Sequence, residues 1–128
     1  MKLLLDTCTF LWLNAQPSRV PPTVRKMCAD PDNQLFLSVV SALEIAIKQS
    51  NGRLSLPEPA AVYVPTRRAA NGIASLDWTE EETWQLRYLP AIHQDPFDRM
   101  LVCQAIEHGM AIVTPDERIS QYPVRVIW

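Results

Sequence analysis

Short apolar runs that break off into an acid or a capped helix start recur along this chain, and that alternation restricts its fold more than any other feature. Lys2 to Leu5 runs apolar without helical periodicity and stops at Asp6-Thr7, as a buried strand ending in a carboxylate does. Phe10 to Leu13 has helical character, and Pro22 or Thr23 opens a second helix with Val24, Met27 and Cys28 on one face. Leu35 to Val40 reads as a second strand. Ser41 and Glu44 follow with capping-box spacing, which predicts a helix to about Gln49 closed by Asn51-Gly52. A helix over Ala60 to Ala70, kinked or broken at Pro65, and a strand over Ile73 to Leu76 come next. Thr79 and Glu82 give another capping box, ahead of a helix to about Tyr88. Leu89 to Ile92, Ala111 to Val113 and Val124 to Trp128 are further candidate strands, and Thr114-Pro115-Asp116-Glu117 repeats the pattern of a capped helix start.

The stretch from His93 to Gly109 has the clearest local logic. Asp95 is a good N-cap, Pro96 suits the first helical position and Asp98 stands at the third. Met100, Leu101, Val102, Cys103, Ala105 and Ile106 leave little polar circumference, which predicts a helix covered on most sides and ended by Gly109. Asp98 then sits one turn before Leu101 and Val102, at the edge of an apolar face where an uncompensated charge is costly.

Strands alternating with helices indicate an α/β fold with a mainly parallel sheet covered on both faces. At 128 residues and 48% hydrophobic, the chain suits one domain with a real core. Leu3-Leu4-Leu5 stops at Asp6, and no run reaches spanning length, so neither a signal peptide nor a membrane helix is expected and the cytoplasm is the expected location. Cys8, Cys28 and Cys103 form no CxxC pair and read as small buried residues. A formal charge of −2 excludes bulk electrostatic coating of nucleic acid and leaves room for a local basic rim.

Parallel sheets place their sites at the carboxyl ends of strands, and Asp6, Glu44, Asp98 and Asp116 all meet that rule. Each has an ordinary alternative. Glu44 can close a capping box with Ser41, and Asp98 and Asp116 can favour the positive ends of their helices. Thr79 and Glu82 show that cap spacing alone implies no site. Asp6 has no obvious helix-start role. Taken together, carboxylates about 4 Å apart repel by roughly 4 kcal/mol at an effective dielectric near 20, so several could not stay ionised side by side without a cation. Mg²⁺ or Mn²⁺ suits such hard oxygen ligands and can share phosphate oxygens with a substrate. Such an ion lowers the pKa of a bound water for attack on phosphorus, and a free carboxylate takes the proton.

The segments LLLDTCTFLWL, SVVSALEIAIK, DPFDRMLVCQA, VTPDE and VRVIW resemble those of PIN-domain proteins, specifically the VapC-like toxins of bacterial toxin–antitoxin pairs. The likeness spans nearly the whole chain, with the motifs in the family's order. It implies one PIN domain over residues 1–128, a three-layer α/β/α fold with a mainly parallel central sheet, and Mg²⁺- or Mn²⁺-dependent endoribonuclease activity. Carried over by position, Asp6, Glu44, Asp98 and Asp116 are the acidic site, with Asp6 and Asp98 as direct metal ligands and Asp95 as the cap that orients the helix. Thr7 and Thr114 become hydroxyls near the metal waters or the scissile phosphate. Cys8 stands where relatives often carry histidine, so no contact is carried over for that side chain. The resemblance also implies an RNA substrate, a cognate antitoxin whose segment lies across the groove, and a homodimer.

Among the remaining groups, His93 and His108 lie at no metal-ligand spacing and are expected at the surface or at helix ends. Arg67-Arg68, Lys48, Arg53 and Arg99 are candidate rim cations. Arg99 is the best of them, placed either to restrain Asp98 or to meet a phosphate. Trp12, Trp78, Trp84 and Trp128 read as packing residues. A phosphoacceptor receiver domain is excluded because no aspartate lies between Asp32 and Asp77 to follow a middle strand, and a haloacid-dehalogenase phosphatase because Asp6-Thr7-Cys8-Thr9 lacks the second aspartate. A PIN module that binds RNA or a partner without cutting is the alternative function.

Overall fold

A computed structural model describes residues 1–128. Five strands form one all-parallel sheet: β1 (Lys2–Leu5), β2 (Gln34–Ser38), β3 (Ile73–Leu76), β4 (Ala111–Val113) and β5 (Val126–Ile127), in the order β3-β2-β1-β4-β5. Six α-helices flank it: α1 (Thr7–Ala15), α2 (Pro22–Ala29), α3 (Val39–Ser50), α4 (Ala60–Ala70), α5 (Glu80–Gln85) and α6 (Pro96–His108). None is long and apolar enough to cross a membrane.

Strand periodicity of two divides the core into two layers. Leu3 and Leu5 of β1 face a cluster containing Phe10 of α1, Val24 of α2, Ile45 of α3, and Tyr63 and Val64 of α4. Leu4 and Ile112 point the other way, onto Val40 of α3 and Leu101, Val102 and Ala105 of α6. Both faces of β1 are therefore buried, as its unbroken Leu run requires. In register, Leu5 lies beside Leu37 on one side and Val113 on the other, so β1 and β4 end level, with β2 one residue beyond, and deliver Asp6, Thr114 and the start of α3 to the carboxyl ends of the strands.

Several boundaries differ from the sequence expectations, each for a local reason. Asp6 does have a helix-start role: it is the N-cap of α1, and its side chain accepts the Thr9 amide. Ser38 caps α3 by accepting the Val40 amide at 3.0 Å, so the helix starts before Ser41 and the Ser41–Glu44 capping box does not form. Residues 89–92 are irregular rather than a strand, and 114–118 turn without forming an α-helix. Pro65 lies inside α4, and the Thr79–Glu82 capping box forms as expected. Helix α6 begins and ends as read: Asp95 accepts the Phe97 amide, and Gly109 terminates it at φ 63°.

Candidate metal-binding active site

Asp6, Glu44, Asp98 and Asp116 line one cleft of about 260 Å³, together with Asp95, Thr7, Cys8, Lys48 and Pro115. Five carboxylates thus face a single ammonium. Asp6 leaves β1 directly into α1, and its two oxygens are separately committed. Oδ1 accepts the Thr9 amide at 2.8 Å, and Oδ2 accepts the Thr114 hydroxyl at 2.5 Å. Glu44 points in from the second turn of α3. Its Oε1 accepts the Thr7 hydroxyl at 2.7 Å, and its Oε2 meets Lys48 Nζ at 2.6 Å. With Ser38 as the cap, capping no longer explains Glu44, whose burial at 5% exposure is instead set by the cleft.

Asp98 and Asp116 meet across a histidine. His93 Nε2 lies 2.7 Å from Asp116 Oδ2 and 3.2 Å from Asp98 Oδ2. Asp116 Oδ1 also accepts the Arg118 amide at 2.9 Å. The ring of His93 is buried, which corrects the surface or helix-end role expected for it. Its signal in the sequence is the position two residues before the Asp95 cap, where a ring nitrogen can accept the cap residue's own amide as Asx side chains do. His108 does lie at a helix end, where its Nε2 meets buried Glu82 at 2.6 Å.

The supporting residues divide. Thr7 lines the cleft, whereas Thr114 is fully buried and acts through Asp6 and through the Asp116 amide, which it accepts at 3.0 Å. Arg99 does not pair with Asp98 as the sequence suggested. Its guanidinium donates to the carbonyls of Leu86 and Pro90 and to the Tyr122 hydroxyl, fastening the irregular segment ahead of α6. Of the other arginines singled out, Arg67 stacks over Tyr63 and lies 3.9 Å from Glu58, away from the cleft. Trp12 packs against Trp128, with ring centroids 6.0 Å apart, but Trp84 is exposed.

Burial, and for Asp98 the neighbouring acids, shift the protonation equilibria of the cleft. Burial, then Asp95, and beyond these Glu44 and Asp6, push Asp98 up to about 7, with His93 opposing. Burial also raises Asp6, partly offset by the Thr114 and Thr9 hydrogen bonds. For Asp116 burial pushes upward, but the His93 hydrogen bond and the Arg118 amide outweigh it and the carboxyl ends below its ordinary value. Burial and the Asp6 charge drive Cys8 up to about 12, so it remains a thiol, with Sγ 3.6 Å from both Asp6 oxygens.

Residues 3–124 match the model of the PIN domain. The chain belongs to the PIN-domain family. It is 26% identical over 121 residues to "Ribonuclease VapC22" of Mycobacterium tuberculosis, an alignment covering 94% of this chain and 91% of that protein. Among solved structures, this PIN domain superposes with a TM-score of 0.75 at 13% identity on VapBC2 from Rickettsia felis, solved bound to a promoter DNA fragment, covering 99% of this chain and 98% of that one. DNA-bound VapBC from Salmonella typhimurium gives a TM-score of 0.69 at 19% identity, covering 99% and 97%. These neighbours share the PIN fold, and the mainly parallel sheet expected from the sequence is wholly parallel.

Proposed function

We propose that this chain is a metal-dependent endoribonuclease of the VapC type, the toxin of a toxin–antitoxin pair, with residues 1–128 forming one PIN domain. The observation that carries the proposal is the convergence of Asp6, Glu44, Asp98 and Asp116 on one cleft, in a chain that aligns over 94% of its length with a protein named a ribonuclease. The donor set fits Mg²⁺ or Mn²⁺. It consists of hard carboxylate oxygens in excess of the available positive charge, and the one thiol in the cleft stays protonated. Asp6 and Asp98 would hold the ion, with Asp116 and Glu44 completing the acidic set.

When bound, such an ion stabilises charge on the phosphoryl oxygens and acidifies water. The protein supplies the rest. Thr9 and Thr114 fix the rotamer of Asp6, and Thr7 and Lys48 fix that of Glu44. Lys48, half-exposed beside the cleft, offers an ammonium to an RNA phosphate. A carboxylate not engaged with the ion accepts the proton of the attacking water. Attack on phosphorus breaks the P–O3′ bond, the leaving O3′ takes a proton from solvent water, and 5′-phosphate and 3′-hydroxyl ends result. The proposed partners are an RNA substrate, a cognate antitoxin that covers the cleft, and a second copy of the chain in a homodimer, all in the cytoplasm. The VapBC neighbours support the antitoxin assignment.

The test incubates total RNA with the purified protein and with Asp98→Asn, in Mg²⁺ or Mn²⁺ and in chelator. Cleavage only by the unmodified protein with metal is expected. Cutting that survives chelator, or full activity in the variant, refutes the mechanism. RNA binding without cutting in any condition supports the non-catalytic alternative.

A further inference from the structure

Both ring nitrogens of His93 and its backbone amide have partners, and nothing in the acidic mechanism uses the side chain. Its Nδ1 accepts the Asp95 amide at 3.0 Å, so Nδ1 carries no proton and the ring N–H lies on Nε2. That N–H is directed at Oδ2 of Asp116 at 2.7 Å, and Oδ2 of Asp98 lies beside the same nitrogen at 3.2 Å without a hydrogen bond of its own. The His93 backbone amide is held in turn by the Tyr122 hydroxyl at 2.8 Å, the same hydroxyl that Arg99 reaches at 3.4 Å. His93 Nε2 and one oxygen each of Asp98 and Asp116 lie within 4.8 Å of one another, close enough to be taken for a three-ligand metal site.

The tautomer argues otherwise. A histidine that ligates through Nε2 donates its remaining N–H from Nδ1, normally to a carbonyl or carboxylate. Here the neighbour of Nδ1 is itself a donor, and moving the ring proton to Nδ1 so that Nε2 could ligate would set two N–H groups against each other at a buried position. We infer that His93 is a positioning residue, whose Nε2–H clamps the Asp116 carboxylate by a hydrogen bond and thereby sets it against Asp98, 3.2 Å from the same nitrogen, and that it does not ligate the ion. Arg99 and Tyr122 extend the clamp by fixing the segment that carries the ring. The inference rests on the metal-site proposal above and concerns the orientation of two of its acids.

Two-bond ¹H–¹⁵N correlation spectra of the full chain labelled in histidine test it directly. His108→Gln identifies which of the two ring systems belongs to His93. The Nε2–H pattern is expected both in chelator and with Mg²⁺. A change to Nδ1–H on adding Mg²⁺ means coordination through Nε2 and overturns the proposal. Mn²⁺ titration followed by EPR provides the second arm. His93→Ala is expected to weaken binding by about 10–100-fold, the usual effect of losing an outer partner of a ligand, and His93→Gln, which keeps an N–H donor, to recover most of it. Unchanged affinity in His93→Ala, or an equal loss in both variants, overturns the clamp. Should the unmodified protein bind no Mn²⁺, the metal-site proposal fails, and the tautomer in metal-free protein still decides the clamp. The spectra need no variant at position 93, so an unfolded His93→Ala leaves the test intact.

Discussion

Thr114 donates its hydroxyl to Asp6 at 2.5 Å across 108 residues of sequence. The same oxygen accepts the Asp116 amide at 3.0 Å, so one buried side chain ties the end of β1 to the turn after β4. Thr114→Val keeps the shape and removes both interactions. Because a hydrogen bond to an ionisable partner is worth about 1.5–3 kcal/mol, urea unfolding should show a loss in that range, and Thr114→Ser should restore most of it. A loss below about 0.5 kcal/mol for Thr114→Val would mean that the hydroxyl holds neither acid in place.

If Asp98 holds the ion as proposed, the response to metal should depend on pH. Its carboxyl is pushed up to about 7 by burial and by the neighbouring acids, against about 3.9 in an unfolded chain. An acid raised in this way stabilises the metal-free fold fully below the unfolded value, and that stabilisation is lost as pH rises through about 7. A cation favours the ionised form and reverses the loss. The Tm gain from saturating Mg²⁺ should therefore be larger at about pH 8 than at about pH 6, and Asp98→Asn should abolish the difference. Equal gains at both pH values in the unmodified protein would contradict it.

Lys48 should affect metal and RNA binding in opposite directions. Its ammonium, 45% exposed, pairs with Glu44 at 2.6 Å, so Lys48→Gln should change stability by less than about 1 kcal/mol. Removing the only cation that lines the cleft should strengthen Mn²⁺ binding. It should also weaken RNA binding, measured in chelator, and lower the salt slope by about 0.7, the value for one phosphate contact on a single strand. Metal and RNA affinities that move together would exclude the proposed phosphate contact.

Gly109 ends α6 at φ 63°, and a Cβ built there meets nothing within 4 Å. The cost of Gly109→Ala is therefore backbone strain alone, about 1–2 kcal/mol for a left-handed L-residue. Thermal unfolding checks it, and an unchanged Tm would show that the helix end relaxes freely.

Much of the fold could be read along the chain because its signals are local. The Leu3-Leu4-Leu5 run, the Asp95-Pro96 start with Gly109 as the stop, and the Thr79–Glu82 box each depend on residues within one turn or one strand, and each is present in the structure. Where two local signals compete, residue order does not choose between them. Ser38 and Ser41 both offer caps. The choice of Ser38 follows from the end of β2, which pairs through Ser38 with Leu76. After β4 the Thr-Pro-Asp pattern is spent on holding Asp6 and His93 rather than on starting a helix.

Local pattern thus established an α/β chain with acids at its strand ends and a capped helix carrying Asp98, because hydrophobic period and capping act over a few residues. Folding settled how those acids are held. Level strand ends bring Asp6 to Thr114, a buried ring joins Asp98 to Asp116, and Arg99 turns from the neighbouring carboxylate to the carbonyls of a distant segment. These pairings depend on through-space distances and on the cost of leaving buried polar groups unpaired, neither of which is written in residue order.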